Sequence, residues 1–172
     1  SNLDAKLRIT MRTEIRRIQQ QLGITAVYVT HDQAEAMSIS DRIVIMDKGV
    51  IAQAGTPHEI YYHPNSAFVA DFIGEANFLP AKALAAEGGQ IRLSIHGHEV
   101  TLPNPSGFAA GRDCQLMLRP EAAQIGHTGL LPCEVTLSTF MGAYQSYHVM
   151  VGDSLVKISD PCPINKHIFQ VG

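Results

Sequence analysis

The hydrophobic periodicity of this chain changes once, near Gly74, and that change limits what the chain can fold into. From Asp4 the apolar positions Leu7, Met11, Ile15, Ile18 and Leu22 recur at helical spacing, one face of an amphipathic helix that Gly23 closes. Arg8, Arg12, Arg16 and Arg17 fill much of the remaining surface and read as a solvated basic face. Ile24 to Val29 is then a short apolar, β-branched run with no polar side, the pattern of a parallel strand covered by helices. It ends in Thr30-His31-Asp32. Asp32, with Glu35 three residues on, predicts a capping box for a helix through Met37.

Arg42 to Met46 and Val50 to Ala54 flank Asp47-Lys48-Gly49 and predict a hairpin with a tight turn. Thr56-Pro57-His58-Glu59 combines an N-cap, a proline at the first helical position and a capping glutamate, and Pro64 ends that helix. Asn65 predicts the cap of a further short helix through Phe68, Val69, Phe72 and Ile73, terminated by Gly74. Beyond Gly74 the helical period is gone. Short β-type runs at 78–83, 90–95, 99–102, 114–119, 131–140, 144–151 and 154–158 alternate with turn formers such as Gly88-Gly89 and Pro103-Asn104-Pro105. The chain is therefore expected to hold an α/β portion over 1–74 and an all-β domain, a small barrel or sandwich, over 75–172.

With 172 residues there is room for one large domain or two small ones, and 45% apolar content suits a core-forming protein. No apolar run approaches the ~18 residues needed to cross a bilayer. A net charge of -3 argues against a nucleic-acid-coating protein. Cys114, Cys133 and Cys162 form no Cys-x-x-Cys pair, so neither a zinc site nor a disulfide framework is indicated, and a reducing compartment fits. Without an initiator Met or a signal peptide, the chain reads as opening inside a longer protein.

His31 is the one pointed residue for chemistry. It follows the expected buried strand, at the carboxyl edge where open α/β sheets bind ligands. An imidazole there can donate to an anionic ligand or move a proton, or it can simply bond a neighbouring carbonyl.

Three ordered segments add a resemblance. Ser1-Asn2-Leu3-Asp4 resembles the D-loop of ABC transporter ATPases, and Val29-Thr30-His31-Asp32-Gln33-Ala34-Glu35-Ala36 resembles their switch-histidine loop. Asp41-Arg42-Ile43-Val44-Ile45-Met46-Asp47-Lys48-Gly49, then Gly55-Thr56-Pro57, resembles the strand pair and the exit segment of the importer branch. The resemblance implies the C-terminal portion of an ABC nucleotide-binding domain, with His31 as γ-phosphate sensor and donor to the hydrolytic centre. A hydrogen bond to a charged group is worth roughly 1.5–3 kcal/mol, enough to affect a transition state. Ser1 and Asp4 would sit at the interface of two ATPase domains near the partner's nucleotide, while Asp32 and Glu35 would cap their helix and do no chemistry.

The 172 residues contain no Gly-x-x-x-x-Gly-Lys-Ser/Thr, no signature segment and no magnesium-binding strand. In the family all of these precede the D-loop. The expectation is an ATPase as the full-length protein, with ATP and Mg held mainly by residues outside this chain, and no hydrolysis by this piece alone. Asn77-Phe78-Leu79-Pro80-Ala81, Leu118-Arg119-Pro120-Glu121 and Gly142-Ala143-Tyr144-Gln145 resemble the OB-like TOBE domain that follows, whose last strand or two would lie beyond Gly172. The implied partners are a second copy of the subunit, membrane permease subunits and, indirectly, a periplasmic solute-binding protein. Nucleic acid is not expected. The implied place is the cytoplasmic face of the bacterial inner membrane, and the sequence leans toward polyamine, iron or phosphonate over sugar. The alternative is a stand-alone ligand-sensing or dimerisation module without ATPase activity.

Other residues stay open between two readings. His96-Gly97-His98 could hold a metal or be an exposed hairpin, and His58 and His63 show no ligand partner. Cys162 between two prolines suits a rigid turn better than a reactive thiol. Phe140, Tyr144 and Tyr147 could stack bases or pack in a core.

Overall fold

The computed structural model describes residues 2–105, 107–161, 164 and 166–172, with side chains described from residue 7 onward in the first helix. The chain divides into two compact units, 1–74 and 75–172. Among the described residues no helix is long and apolar enough to cross a membrane.

In the first unit, helix α1 (Asn2–Leu22) stops at Gly23, whose φ of 61° is a conformation that favours glycine. The expected parallel strand from Ile24 to Val29 does not form. Those residues run without regular structure, and among the described residues no backbone hydrogen bond pairs them. A strand is defined by its neighbours, and none reaches this one.

Helix α2 (Gln33–Ile39) leads into the hairpin of β1 (Ile43–Asp47) and β2 (Val50–Gly55). Lys48 and Gly49 turn it with φ of 48° and 85°, the doubly left-handed geometry that matches strand twist. Helix α3 (Pro57–Tyr62) starts with the full capping box of Thr56 and Glu59. Helix α4 (Ala67–Ile73) is capped by Ser66 rather than by Asn65. The Asn65 amide is occupied elsewhere, donating to the Ala52 carbonyl at 2.8 Å and so tying α4's approach to β2. Ile43, Ile45, Ile60, Val69 and Ile73 form a small core, with Ala36 and Met37 of α2 against it.

The second unit is two antiparallel sheets. One has the order β5-β4-β3-β6, from β3 (Asn77–Glu87), β4 (Gln90–Ile95), β5 (His98–Pro103) and β6 (Asp113–Leu118). The other is β7 (Glu134–Phe140), β8 (Tyr144–Val151) and β9 (Ser154–Pro161). Leu79, Ala83, Ile91 and Ile95 from the first sheet share one core with Tyr147, Val149 and Ile158 from the second. Asn77 joins the sheets: its side chain donates to the Lys157 carbonyl at 2.8 Å and accepts from the Lys157 amide at 2.7 Å. Among the described residues the strand pairing does not close these sheets into one ring.

Tyr147 is 1% exposed and Phe140 66%, so these aromatics divide between core and surface. His96 sits in the β4–β5 turn with its Nε2 2.9 Å from Ser154 Oγ. A Cβ on Gly152 would come within 2.5 Å of that ring, so the β8–β9 turn needs glycine there. Among the described residues no group of three or more metal-ligating side chains converges. Cys162 lies outside the described residues.

Candidate functional site: the loop around His31

His31 is exposed at a bend between Thr30 and Asp32, and no hydrogen bond engages its ring among the described side chains. Its neighbours, by contrast, are tightly held. The Thr30 hydroxyl accepts from the Asp32 amide at 2.9 Å, a short turn that bridges across His31. The same hydroxyl donates to Glu35 Oε2 at 2.7 Å. Asp32 caps α2 by accepting from the Glu35 amide at 3.0 Å.

The expected capping box is therefore half formed. The Asp32 arm is present, but the Glu35 carboxylate does not return to the Asp32 amide. The Thr30 hydroxyl takes that donor, and Glu35 turns to Thr30, Tyr28 and Arg12 instead. Arg12 on α1 forks between the two acids, with Nη2 2.8 Å from Glu35 Oε1 and 3.0 Å from Asp32 Oδ2, and Nε 3.2 Å from Glu35 Oε1. A planar guanidinium suits such a fork in a way that an ammonium does not. Arg16, one turn on, donates to the Ile39 carbonyl at 3.2 Å and Asp41 at 2.6 Å. So the basic face is not merely solvated. Arg12 and Arg16 clamp α1 along α2, beside a shallow groove lined by Ile9, Thr13, Ala34 and Ile39.

The Thr30 hydroxyl first, and Arg12 next, hold the Glu35 carboxyl below its ordinary value of 4.5. The Glu35 amide, and then the charge of Arg12, hold Asp32 below 3.8. Both acids are ionised at neutral pH with their oxygens engaged, so neither is free to act as a general base. Of the loop's polar side chains, the exposed His31 imidazole is the one with no hydrogen-bond partner among the described side chains.

Of the three residues singled out for a nucleotide, only His31 has a described side chain. Ser1 lies outside the described residues, and Asp4 lies in the first turn of α1 with its side chain likewise outside them. Reading the residues in order missed Arg12, Thr30 and the turned-away Glu35. The contacts of Arg12 span 20 and 23 residues, and nothing local distinguishes it from Arg8 or Arg17. The one usable signal was Thr30, a hydroxyl two residues before an N-cap amide.

No protein-family model matches the chain. Curated relatives do. It is 46% identical over 151 residues, 87% of this chain and 42% of the relative, to a Fe(3+) ions import ATP-binding protein of Rhizobium etli. It is 43% identical over 155 residues, 89% of this chain and 42% of the relative, to a spermidine/putrescine import ATP-binding protein of Ruegeria pomeroyi. A Fe(3+) ions import ATP-binding protein of Brucella suis matches at 42% over 167 residues, 94% of this chain and 46% of the relative. The chain thus spans less than half the length of these relatives.

Proposed function

We propose that this chain, whose homologues over most of its length are ATP-binding subunits of ABC importers, is the C-terminal part of such a subunit. The whole protein would bind and hydrolyse ATP to drive solute uptake through membrane permease subunits, from the cytoplasmic face of the inner membrane. Residues 1–74 would close the nucleotide-binding domain, and residues 75–172 would be its OB-like TOBE regulatory domain.

One observation of the structure carries this reading. The run from Ile24 to Val29 is apolar, unpaired and exposed, with Val27 at 91% and Val29 at 92%, and it leads directly to His31. Exposed β-branched residues on unpaired backbone are stable only once a sheet supplies hydrogen bonds and cover. A parallel sheet contributed by the rest of the protein would pair this run and set His31 at its carboxyl edge, where a nucleotide would lie.

In this reading His31 donates to the terminal phosphate of ATP, and its exposed ring fits that task. Ser1 and Asp4 would face the nucleotide of a second copy of the subunit. Magnesium and the phosphate-wrapping loop would belong to residues outside this chain, so the 172-residue piece alone would not turn over ATP. Relatives named for iron(III) and for spermidine/putrescine match almost equally, so the solute would be chosen by other subunits.

The test is His31→Ala in the full-length subunit encoded by the gene. Uptake and ATP turnover are expected to fall together while the protein still assembles with its permease. Undiminished turnover would remove the role of His31. A full-length gene product lacking a phosphate-binding loop would remove the transporter reading itself.

A further inference from the structure

We infer that Arg12 is a positioning residue for His31, acting through Glu35 and Thr30, an inference that rests on the role proposed above for His31. The geometry forms a continuous path. Arg12 binds Glu35 Oε1, the other oxygen of that carboxylate accepts from the Thr30 hydroxyl, and the hydroxyl accepts from the Asp32 amide. Thr30 and Asp32 are the two residues that flank His31, so the path fixes the backbone on both sides of an imidazole that otherwise has no described restraint.

Three features argue that the path is more than local capping. First, an N-cap needs only the bond from the Glu35 amide to Asp32 Oδ1, and Arg12 binds the other oxygen, Oδ2. Second, a capping glutamate ordinarily returns to the N-cap amide, as Glu59 does at Thr56. Here Glu35 gives up that bond to link Thr30 with a guanidinium on another helix. Third, the Arg12 and Glu35 side chains are only 17% and 15% exposed, whereas the Arg17–Glu14 pair on the same helix is 53% and 48% exposed. The Arg12 fork is the sheltered one.

Arg12 also lies two helical turns from Asp4, roughly 12 Å along α1. Helix α1 carries Asp4, proposed to face the second subunit, in its first turn and grips the His31 loop from its middle, so a displacement at one end can reach the other. Arg12 would thus make the donor geometry at His31 responsive to subunit closure.

The experiment uses the full-length subunit and this chain in parallel. In the subunit, Arg12→Ala is expected to lower kcat about tenfold or more, with KM for ATP moving less than about twofold, because the Arg12 guanidinium is engaged by Glu35 and Asp32. Arg12→Lys, which keeps the charge and the helix but cannot fork, should recover part of that loss. In the His31→Ala background Arg12→Ala should cause no further loss, since it works through the missing ring. In the 172-residue chain, Arg12→Ala should speed hydrogen exchange of the Asp32 amide about tenfold as Glu35 releases Thr30.

Unchanged kcat, a further loss in the His31→Ala background, or Asp32 exchange as slow as in the wild type would each overturn the inference. If His31→Ala itself leaves turnover intact, the role of His31 fails. The Asp32 exchange still reports whether Arg12 sets the loop.

Discussion

In residues 75–172 the strands send alternate side chains into one core, β8 placing Gln145, Tyr147, Val149 and Val151 inside. In residues 1–74 the same kind of residue faces solvent. Leu7, Met11 and Leu22 of α1 are more than half exposed, and so are Val27 and Val29 beyond it. Both units carry clear apolar periodicity and each buries a core, but the α1 face and residues 24–29 find too little partner surface within the chain to bury theirs. The contrast teaches that a strong pattern specifies which face wants burial without supplying the surface that covers it. The first unit compensates with polar contacts, the Arg12 and Arg16 clamps, where the second uses packing.

A matched pair of valines gives the sharpest break. Val149→Ala, at a fully buried site, is expected to cost about 2 kcal/mol. Val27→Ala in the same chain should stay within about 0.5 kcal/mol. Chemical denaturation of each variant reads the difference. In the full-length subunit Val27→Ala should approach the cost at Val149, and if it stays neutral there, no sheet covers residues 24–29.

Gly152→Ala tests the second unit's turn packing. A φ of 58° disfavours any side chain, and the added Cβ meets the His96 ring. The loss should be about 1–2 kcal/mol from the backbone alone, in the same denaturation assay. Adding His96→Ala should recover the part due to the clash.

Thr56→Ala removes one arm of the α3 capping box and should cost about 1 kcal/mol, seen as a lower thermal midpoint for the first unit. A variant that melts as the wild type would show that α3 is held by Ile60 packing and not by its cap.

The smallest effect is the acid response. Glu35 and Asp32 have depressed folded values, so the stability they contribute is present above their ordinary values of 4.5 and 3.8. It is lost as pH falls through the lower folded ones. Exchange at the Thr30–Asp32 loop should therefore rise as pH falls below these ordinary values, before the β-sheet amides of the second unit respond. Simultaneous loss in both units would mean that the clamp carries no separate stability.

Much of the second unit was legible from alternation and turn chemistry, because a strand's inward residues and a Gly-containing turn are local properties. The run 144–151 predicts β8 at the bounds observed. The α3 start was equally readable, since a capping box closes within four residues. Residues 24–29 form no strand in this chain for the opposite reason: their composition is that of a strand, but strand formation needs a neighbour. Asn65 and Ser66 show a milder form, in which two capable caps compete and a contact to Ala52, 13 residues away, decides between them.

By itself the sequence determined that His31 follows an apolar run, precedes an N-cap and carries the loop's only imidazole, because those are matters of order and spacing. Tertiary structure alone decided that Arg12, rather than Arg8 or Arg17, grips Glu35 and that Glu35 turns from its own cap to Thr30. Those choices depend on how two helices meet across some twenty residues of intervening chain. Side-chain geometry at that distance is set by packing, and no local pattern encodes it.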